Sequence, residues 1–284
     1  GFAGMSQFDA FNHALTTVAT GGFSTHDASF GYFDSPALLW ISTFFMTLCS
    51  LPFSILILFV VRGRLDSLRD PQIMLFLTYL FVAVFLLSLY ISLNDQMDFL
   101  TALTQSAFNV SSILSTTGYA STDYSQWGAF AVVLVFFLTF MGGCSGSTAG
   151  GIKSYRFLIL FNMLRTGMKK LIYPNAVYSI RYGRLSVDSE TQRAVSMFFT
   201  AYILLWAFGS LGMSLLGYDL ITSTTAVLTA LSNVGPGLGD IIGPAGNFST
   251  FADPELCLLA IMMLLGRLEI LTVVVVLMPM YWRG

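Results

Sequence analysis

Ser115-Thr116-Thr117-Gly118-Tyr119 follows an amphipathic stretch and precedes a long apolar run, and the same layout recurs at Ala19-Thr20-Gly21-Gly22-Phe23 and Asn233-Val234-Gly235-Pro236-Gly237. A dehydrated cation needs a ring of oxygens in place of its water, and backbone carbonyls turned toward an axis supply one. Glycine permits that turn because it tolerates positive φ. One such segment is an ordinary Gly-rich turn. Three of them, each between membrane-length segments, describe the lining of a pore.

Composition agrees. Of 284 residues 55% are hydrophobic and 10% charged, against about a quarter charged in soluble domains. The chain reads as a polytopic membrane protein. Residues 36–61, 71–93, 194–216 and 254–282 are each near or beyond the ~20 apolar residues a bilayer core requires and are expected to span. A fifth apolar stretch, 127–141, stops at Gly142-Gly143-Cys144-Ser145-Gly146-Ser147-Thr148-Ala149-Gly150-Gly151 and resumes over 152–164.

Charge sets the orientation. Arg62, Arg64 and Arg69 form one basic stretch, Lys153, Arg156, Arg165, Lys169, Lys170, Arg181, Arg184 and Arg193 a second, and Arg283 follows the last span. The positive-inside rule makes these cytoplasmic. The loop-bearing segments hold no Lys or Arg but carry Asp9, Asp27, Asp34, Asp95, Asp98, Asp123, Asp219, Asp240 and Asp253. They face outward, where their field attracts cations, although acidic outer loops are also the plain counterpart of the inside rule. Gly1-Phe2-Ala3-Gly4 shows no initiator Met, basic n-region or apolar h-region, so no signal peptide is expected there. Cys49, Cys144 and Cys257 lack paired spacing, and His13 and His26 are too isolated for a metal site.

Each loop ends an outer segment of helical periodicity, at 8–18, 99–114 and 219–231, too short to cross a bilayer. A re-entrant helix fits: it enters from outside, stops near the midplane and returns as irregular backbone, which is tolerated there only along a water-filled path. Its negative C-terminal end then points at the ion. The third loop carries Asn233 and Val234 where the second has Thr116 and Thr117, so the ring is not strictly fourfold.

These residues resemble the Trk, Ktr and HKT superfamily of potassium transporters, most closely its Trk-type uptake subunits. The likeness covers the whole chain and rests on 17–25, 115–120, 233–237 and the run from Gly142 to Lys153. It implies four span–loop–span repeats around a pseudo-fourfold pore, one filter glycine per repeat, with the first repeat and the first span of the second absent here. The units are then 1–62, 63–163 with its interrupted second span, and 164–284 with a cytoplasmic loop. The resemblance makes Gly22, Gly118 and Gly235 the filter glycines and the carbonyls of Thr20, Gly21, Thr116, Thr117, Asn233 and Val234 the ion ligands. No loop reads Thr-Val-Gly-Tyr-Gly, so potassium selectivity is a weaker expectation than cation conduction. The resemblance also implies a bacterial cytoplasmic (inner) membrane location, a homodimer with one pore per subunit, and a nucleotide-binding ring of the TrkA type docked on the inner face. No nucleotide fingerprint, organic cofactor or nucleic-acid partner is expected of this chain; potassium is the transported ligand and lipid the surrounding partner.

The interrupted span is the second informative element. Ten residues of Gly, Ser, Thr, Ala and Cys make a poor helix in lipid, since each glycine costs about 1 kcal/mol against alanine and freed backbone groups need partners. Gly142, Gly146 and Gly150 also satisfy the small-xxx-small helix contact, so tight packing is an alternative to an obstruction below the filter, which the resemblance favours. Arg267, read as mid-span and roughly 20 Å from the outer end, costs at least ~2.5 kcal/mol unless partnered. The expected gate is Gly142, Gly143, Ser145, Gly146, Ser147, Gly150 and Gly151 with Arg267, while bracing of a neighbouring span is the structural alternative. Glu269, two residues on, points elsewhere on a helix and is the one intramembrane carboxylate considered for proton-coupled symport.

Two short motifs resemble enzyme signatures. A phosphate-binding loop fails because Ile152 intrudes before Lys153 and no strand precedes it. Gly143-Cys144-Ser145-Gly146 matches the short motif of intramembrane serine proteases, but a serine nucleophile needs a base, and neither His13 nor His26 lies on a full span. The expectation is therefore an all-α membrane fold of repeated span–re-entrant helix–span units that conducts potassium passively and is not an enzyme.

Overall fold

A computed structural model describes residues 3–63, 69–94, 96–183 and 185–282. Arg64, Asp95, Arg184 and Arg283, which carry part of the charge reading, lie outside the described residues, as do Gly1 and Phe2.

Among the described residues two helices are long and apolar enough to cross a membrane alone, α4 (Pro71–Leu93) and α8 (Ser189–Leu215). Each starts at an aspartate whose carboxylate accepts an early backbone amide: Asp70 from Gln72 N at 3.0 Å, Asp188 from Thr191 N at 3.2 Å. Such caps satisfy amides that a helix leaves without partners. Three short helices match the expected re-entrant segments: α1 (Gln7–Val18), α5 (Phe99–Leu114) and α9 (Leu220–Ser232). Ser6, Asp98 and Asp219 cap their outer ends. Part of the outer acidity is thus helix capping. The inner ends of α5 and α9 are buried all round, since they sit among the other helices rather than against lipid.

The element after each re-entrant helix is broken. In the first unit α2 (Pro36–Cys49) and α3 (Phe53–Arg62) meet at 97°, and in the last α10 (Asp253–Arg267) and α11 (Ile270–Leu277) meet at 107°. Between them, α6 (Ala129–Phe140) and α7 (Ser154–Ile172) flank the Gly-rich segment. The continuous spans expected over 36–61 and 254–282 are therefore corrected to bent pairs. Pro52 explains the first break, because it lacks an N–H and its ring excludes the carbonyl four residues back. The last break has no proline; it falls at Glu269, whose φ is +59°.

Helix α7 runs on to Ile172 and α8 begins at Ser189, leaving a connection that holds one small antiparallel hairpin, β1 (Arg181–Tyr182) with β2 (Leu185–Ser186). Aside from that hairpin the secondary structure among the described residues is helical.

Two main apolar clusters form the interior, one joining α4, α5 and α6, the other α8, α9 and α10, and a third packs Phe30, Met46, Phe108 and Tyr119 between α1, α2 and α5. Large apolar side chains such as Phe81, Phe85, Phe208 and Leu211 point outward, which suits lipid and not water.

Candidate ion pathway: three loops and the segment beneath them

All three re-entrant helices end in the same way. Thr20, Thr116 and Asn233 take φ of +50°, +56° and +55°. The next residue donates its amide five residues back around the turn: Gly21 N to Thr16 O at 2.8 Å, Thr117 N to Ser112 O at 2.9 Å, Val234 N to Thr229 O at 3.0 Å. The left-handed residues themselves donate to Thr17, Ile113 and Ala230. This pair of bonds is the Schellman termination. A β-branched threonine at positive φ is a strained choice, costing on the order of 1–3 kcal/mol, so the surrounding packing has to impose it.

The glycines that follow, Gly22, Gly118 and Gly235, have φ of +68°, +84° and +118°. A β-carbon on Gly22 would come within 1.8 Å of Thr117 O, and one on Gly118 within 1.9 Å of Val234 O. Gly22 and Gly118 therefore each abut the carbonyl that precedes the next loop's glycine, so the loops follow one another first, second, third. At Gly235 the nearest foreign atom to such a carbon is Gly118 Cα at 3.9 Å. Between the first and third loops lies a cavity of about 480 Å3 bordered by Thr20, Gly21, Asn233, Val234, Gly235 and Arg267. Among the described residues no hydrogen bond reaches the carbonyl oxygens of Thr20, Gly21, Thr116, Thr117, Asn233 or Val234. These oxygens are free to meet a cation.

Hydroxyl groups that sequence reading passed over brace the loops. Thr16 Oγ1 donates to Phe23 O at 3.0 Å and Ser112 Oγ to Tyr119 O at 2.7 Å, while Thr229 Oγ1 accepts Gly235 N at 2.9 Å. Each stands four residues ahead of a left-handed residue, a spacing that was visible in the sequence. The buried Tyr119 hydroxyl reaches Thr16, Thr17 and His13 O, tying the second loop to the first helix.

The Gly-rich segment lies directly below. It is irregular backbone, with Met141 bridging Ile152, so the helix-packing alternative for Gly142, Gly146 and Gly150 is not realised. Thr148 Oγ1 donates to Val18 O and Cys49 O, each at 3.3 Å, and Gly150 N donates to Thr116 Oγ1 at 2.5 Å. A β-carbon on Gly150 would lie 2.5 Å from Ser232 O. The inner ends of α1, α5 and α9 are all touched by 148–150. A β-carbon on Gly142 would come within 2.2 Å of Gly150 O, and one on Gly143 within 2.6 Å of Ala149 Cβ, so the segment closes tightly on itself. Gly151 adopts φ +68° there. Ser147 Oγ donates to Cys144 O at 2.7 Å, Cys144 N to Ser50 O at 2.8 Å, and Phe53 N to Gly146 O at 3.0 Å.

Arg267 is the last residue of α10, directly before the break in the last bent pair. Its Nη1 donates to Thr148 O at 3.2 Å. Lys153, counted with the inner basic residues, instead folds back so that Nζ donates to Ala149 O. Glu269 pairs with Arg156 Nη2 at 2.6 Å, consistent with its pointing away from Arg267. The more buried carboxylate is Glu255, 7% exposed, with Oε2 lacking a hydrogen-bond partner among the described residues.

No protease constellation is assembled. Ser145 N donates to Gln72 Oε1, whereas His13 bonds Asp9 O and Ser24 and His26 stacks on Tyr32. At the outer mouth, hydrogen bonds from Thr25, then Ser6, then His26 hold the Asp9 carboxyl down at about 2.

Residues 3–283 match the sequence profile of the TrkH family, described as a cation transport protein. The chain is 47% identical over 281 residues to the Trk system potassium uptake protein TrkI of Halomonas elongata, covering 99% of this chain and 57% of that protein. It is 38% identical over 289 residues to the Trk system potassium uptake protein TrkH of Salmonella typhimurium, covering 99% and 58%. The crystal structure of the potassium transporter TrkH from Vibrio parahaemolyticus superposes with a TM-score of 0.93 at 35% identity, covering 99% of this chain and 60% of that one. The chain thus spans less than two thirds of the length of these relatives.

Proposed function

The chain belongs to the TrkH family of cation transport proteins, and from that premise we propose that it lines three quarters of a potassium-uptake pore in the bacterial cytoplasmic membrane. The carrying observation is the succession of Gly22 on Thr117 O and Gly118 on Val234 O, which brings unbonded carbonyls around one axis. A ring of four needs one more loop, and the 480 Å3 cavity between the first and third loops is the place for it. Carbonyls of Thr20, Gly21, Thr116, Thr117, Asn233 and Val234 then replace potassium's water, with the negative ends of α1, α5 and α9 behind them.

The units are 1–62, 63–163 and 164–284. The segment 142–151, held by Arg267, obstructs conduction from below the filter: its contacts with Val18, Thr116 and Ser232 close the inner side, and the guanidinium repels cations there. Regulation comes from the inner face. The names of the relatives speak of a Trk system, which supports a docked nucleotide-binding ring of the TrkA type, and the assembly is a homodimer embedded in lipid. The chain carries no catalysis of its own.

Passive conduction is favoured over symport because Glu269 is neutralised by Arg156. Glu255 keeps the coupled reading open to experiment, since a buried carboxylate with an unpartnered oxygen could carry a proton. Rubidium and sodium flux into liposomes containing the full polypeptide tests the proposal. Rubidium flux exceeding sodium flux and indifferent to a pH gradient is the expected result. Flux that depends on the proton gradient and loses that dependence in Glu255→Gln would establish symport instead, and absence of any cation flux would overturn the pore.

A further inference from the structure

We propose that the cytoplasmic hairpin is latched to the segment beneath the filter through Tyr182, Asp70 and Gln72, with Gln72 positioning that segment's inner turn. The inference rests on the reading of 142–151 as the obstruction and adds where that obstruction is held from inside.

The contacts form an unbroken chain. Tyr182 donates its hydroxyl to Asp70 Oδ1, and the same oxygen accepts Gln72 N at 3.0 Å. Asp70 thereby fixes the first turn of α4, with Pro71 preset for its first helical position. The Gln72 side chain is buried and turns toward the Gly-rich segment, where Oε1 accepts Ser145 N at 3.0 Å. Its backbone carbonyl faces the buried Cys144 Sγ at 3.7 Å. A buried amide oxygen that loses its donor is costly, so Gln72 and Ser145 move together or not at all.

The other end of the chain is equally well defined. Asn162 Nδ2 on α7 donates to Arg181 O at 3.0 Å, and the Tyr155 and Tyr182 rings lie 5.1 Å apart. A β-carbon on Gly183 would sit 3.3 Å from Pro71 Cγ, so the hairpin rests on the α4 terminus. Helix α7 itself starts where the Gly-rich segment ends. The hairpin therefore touches the helix that holds the segment's turn and the helix that continues from it. Burial, and then the Asp70 carboxylate, push the Tyr182 hydroxyl well above its ordinary range, so it stays protonated and able to donate. Arg181, Gly183, Leu185 and Ser186 are exposed, which leaves the outer side of the latch open to displacement.

Tyr182→Phe removes the hydroxyl alone, and Gln72→Leu removes the acceptor while keeping an apolar stem. Each is measured in the full polypeptide in liposomes, by rubidium flux without any activating stimulus and by maleimide labelling of Cys144 with the other cysteines replaced. The expected result is a rise of about fivefold in resting flux, the size of one net hydrogen bond, with faster Cys144 labelling and an unchanged rubidium-to-sodium ratio. The double variant should match Gln72→Leu, because both residues act in one chain; multiplied effects would overturn it. Arg267→Ala is the control for the underlying reading. A flux increase in Arg267→Ala with neither flux nor labelling changed in the latch variants overturns the latch and leaves the obstruction standing. Faster labelling in the latch variants with no flux change in any of the three upholds the latch and removes the obstruction.

Discussion

Gly22 leaves no room for a side chain against Thr117: a β-carbon would stand 1.8 Å from that residue's carbonyl oxygen. The same relation, at 1.9 Å, holds between Gly118 and Val234. Both neighbours are backbone, which cannot swing aside as a flexible side chain can.

Gly118→Ser should therefore displace the Val234 carbonyl and erode rubidium preference over sodium by about tenfold, roughly the 1.4 kcal/mol of one weakened ligand. Gly235→Ala meets nothing closer than Gly118 Cα at 3.9 Å and should carry backbone strain alone, lowering thermal stability with a smaller change in selectivity. Competitive flux assays on the two variants check the order. Equal loss of selectivity would contradict the packing.

Arg267→Ala deletes the bond to Thr148 O. Hydrogen bonds to charged groups are worth on the order of 1.5–3 kcal/mol, so resting rubidium flux should rise about 10- to 100-fold. Arg267→Lys keeps the charge without the fixed fork and should fall between. Flux measured with the regulatory stimulus withheld decides this.

Arg156 lies across the Phe198 ring at 4.0 Å while pairing with Glu269, whose side chain is 65% exposed. An exposed pair contributes about 0–1 kcal/mol, and a cation over a ring adds about 0.5–1 kcal/mol. Arg156→Ala should cost more stability than Glu269→Gln, by roughly the ring contribution. Melting temperatures in detergent give the comparison, and a larger drop in Glu269→Gln would show that the pair dominates.

The depressed Asp9 carboxyl makes a pH prediction. A carboxylate whose folded value lies below its unfolded one stabilises fully above the unfolded value, near 3.9, and loses that contribution only as pH falls through about 2. The melting-temperature gap between the wild type and Asp9→Asn should be constant from pH 7 to 5 and should shrink below about 4. A gap that stays constant below pH 4 would show that the Asp9 carboxylate does not carry this stability.

Much of the molecule was legible because its signals are local. Periodicity placed α5 at Phe99–Leu114 and the glycines placed the loops. The breaks in the spans were not legible, because hydropathy counts residue types and ignores torsions: Leu268 and Glu269 look like any apolar helix with one charge. Pro52 was a readable warning at the first break. The seat of Arg267 on Thr148 joins residues 119 positions apart, and no spacing rule encodes such a contact. The bond from the Lys153 ammonium to Ala149 O is likewise invisible to charge counting, which registers only a basic residue at the end of an apolar stretch.

The matched ends of α1, α5 and α9 have one more consequence. Thr20, Thr116 and Asn233 share a torsion and a hydrogen-bond pattern, although the third carries an amide where the first two carry a hydroxyl. What these segments share is a conformation, and conformation places few demands on the letters that write it. The likeness of the repeats is therefore written more fully in dihedral angles than in the alphabet, and it is better traced by superposing backbones than by aligning residues.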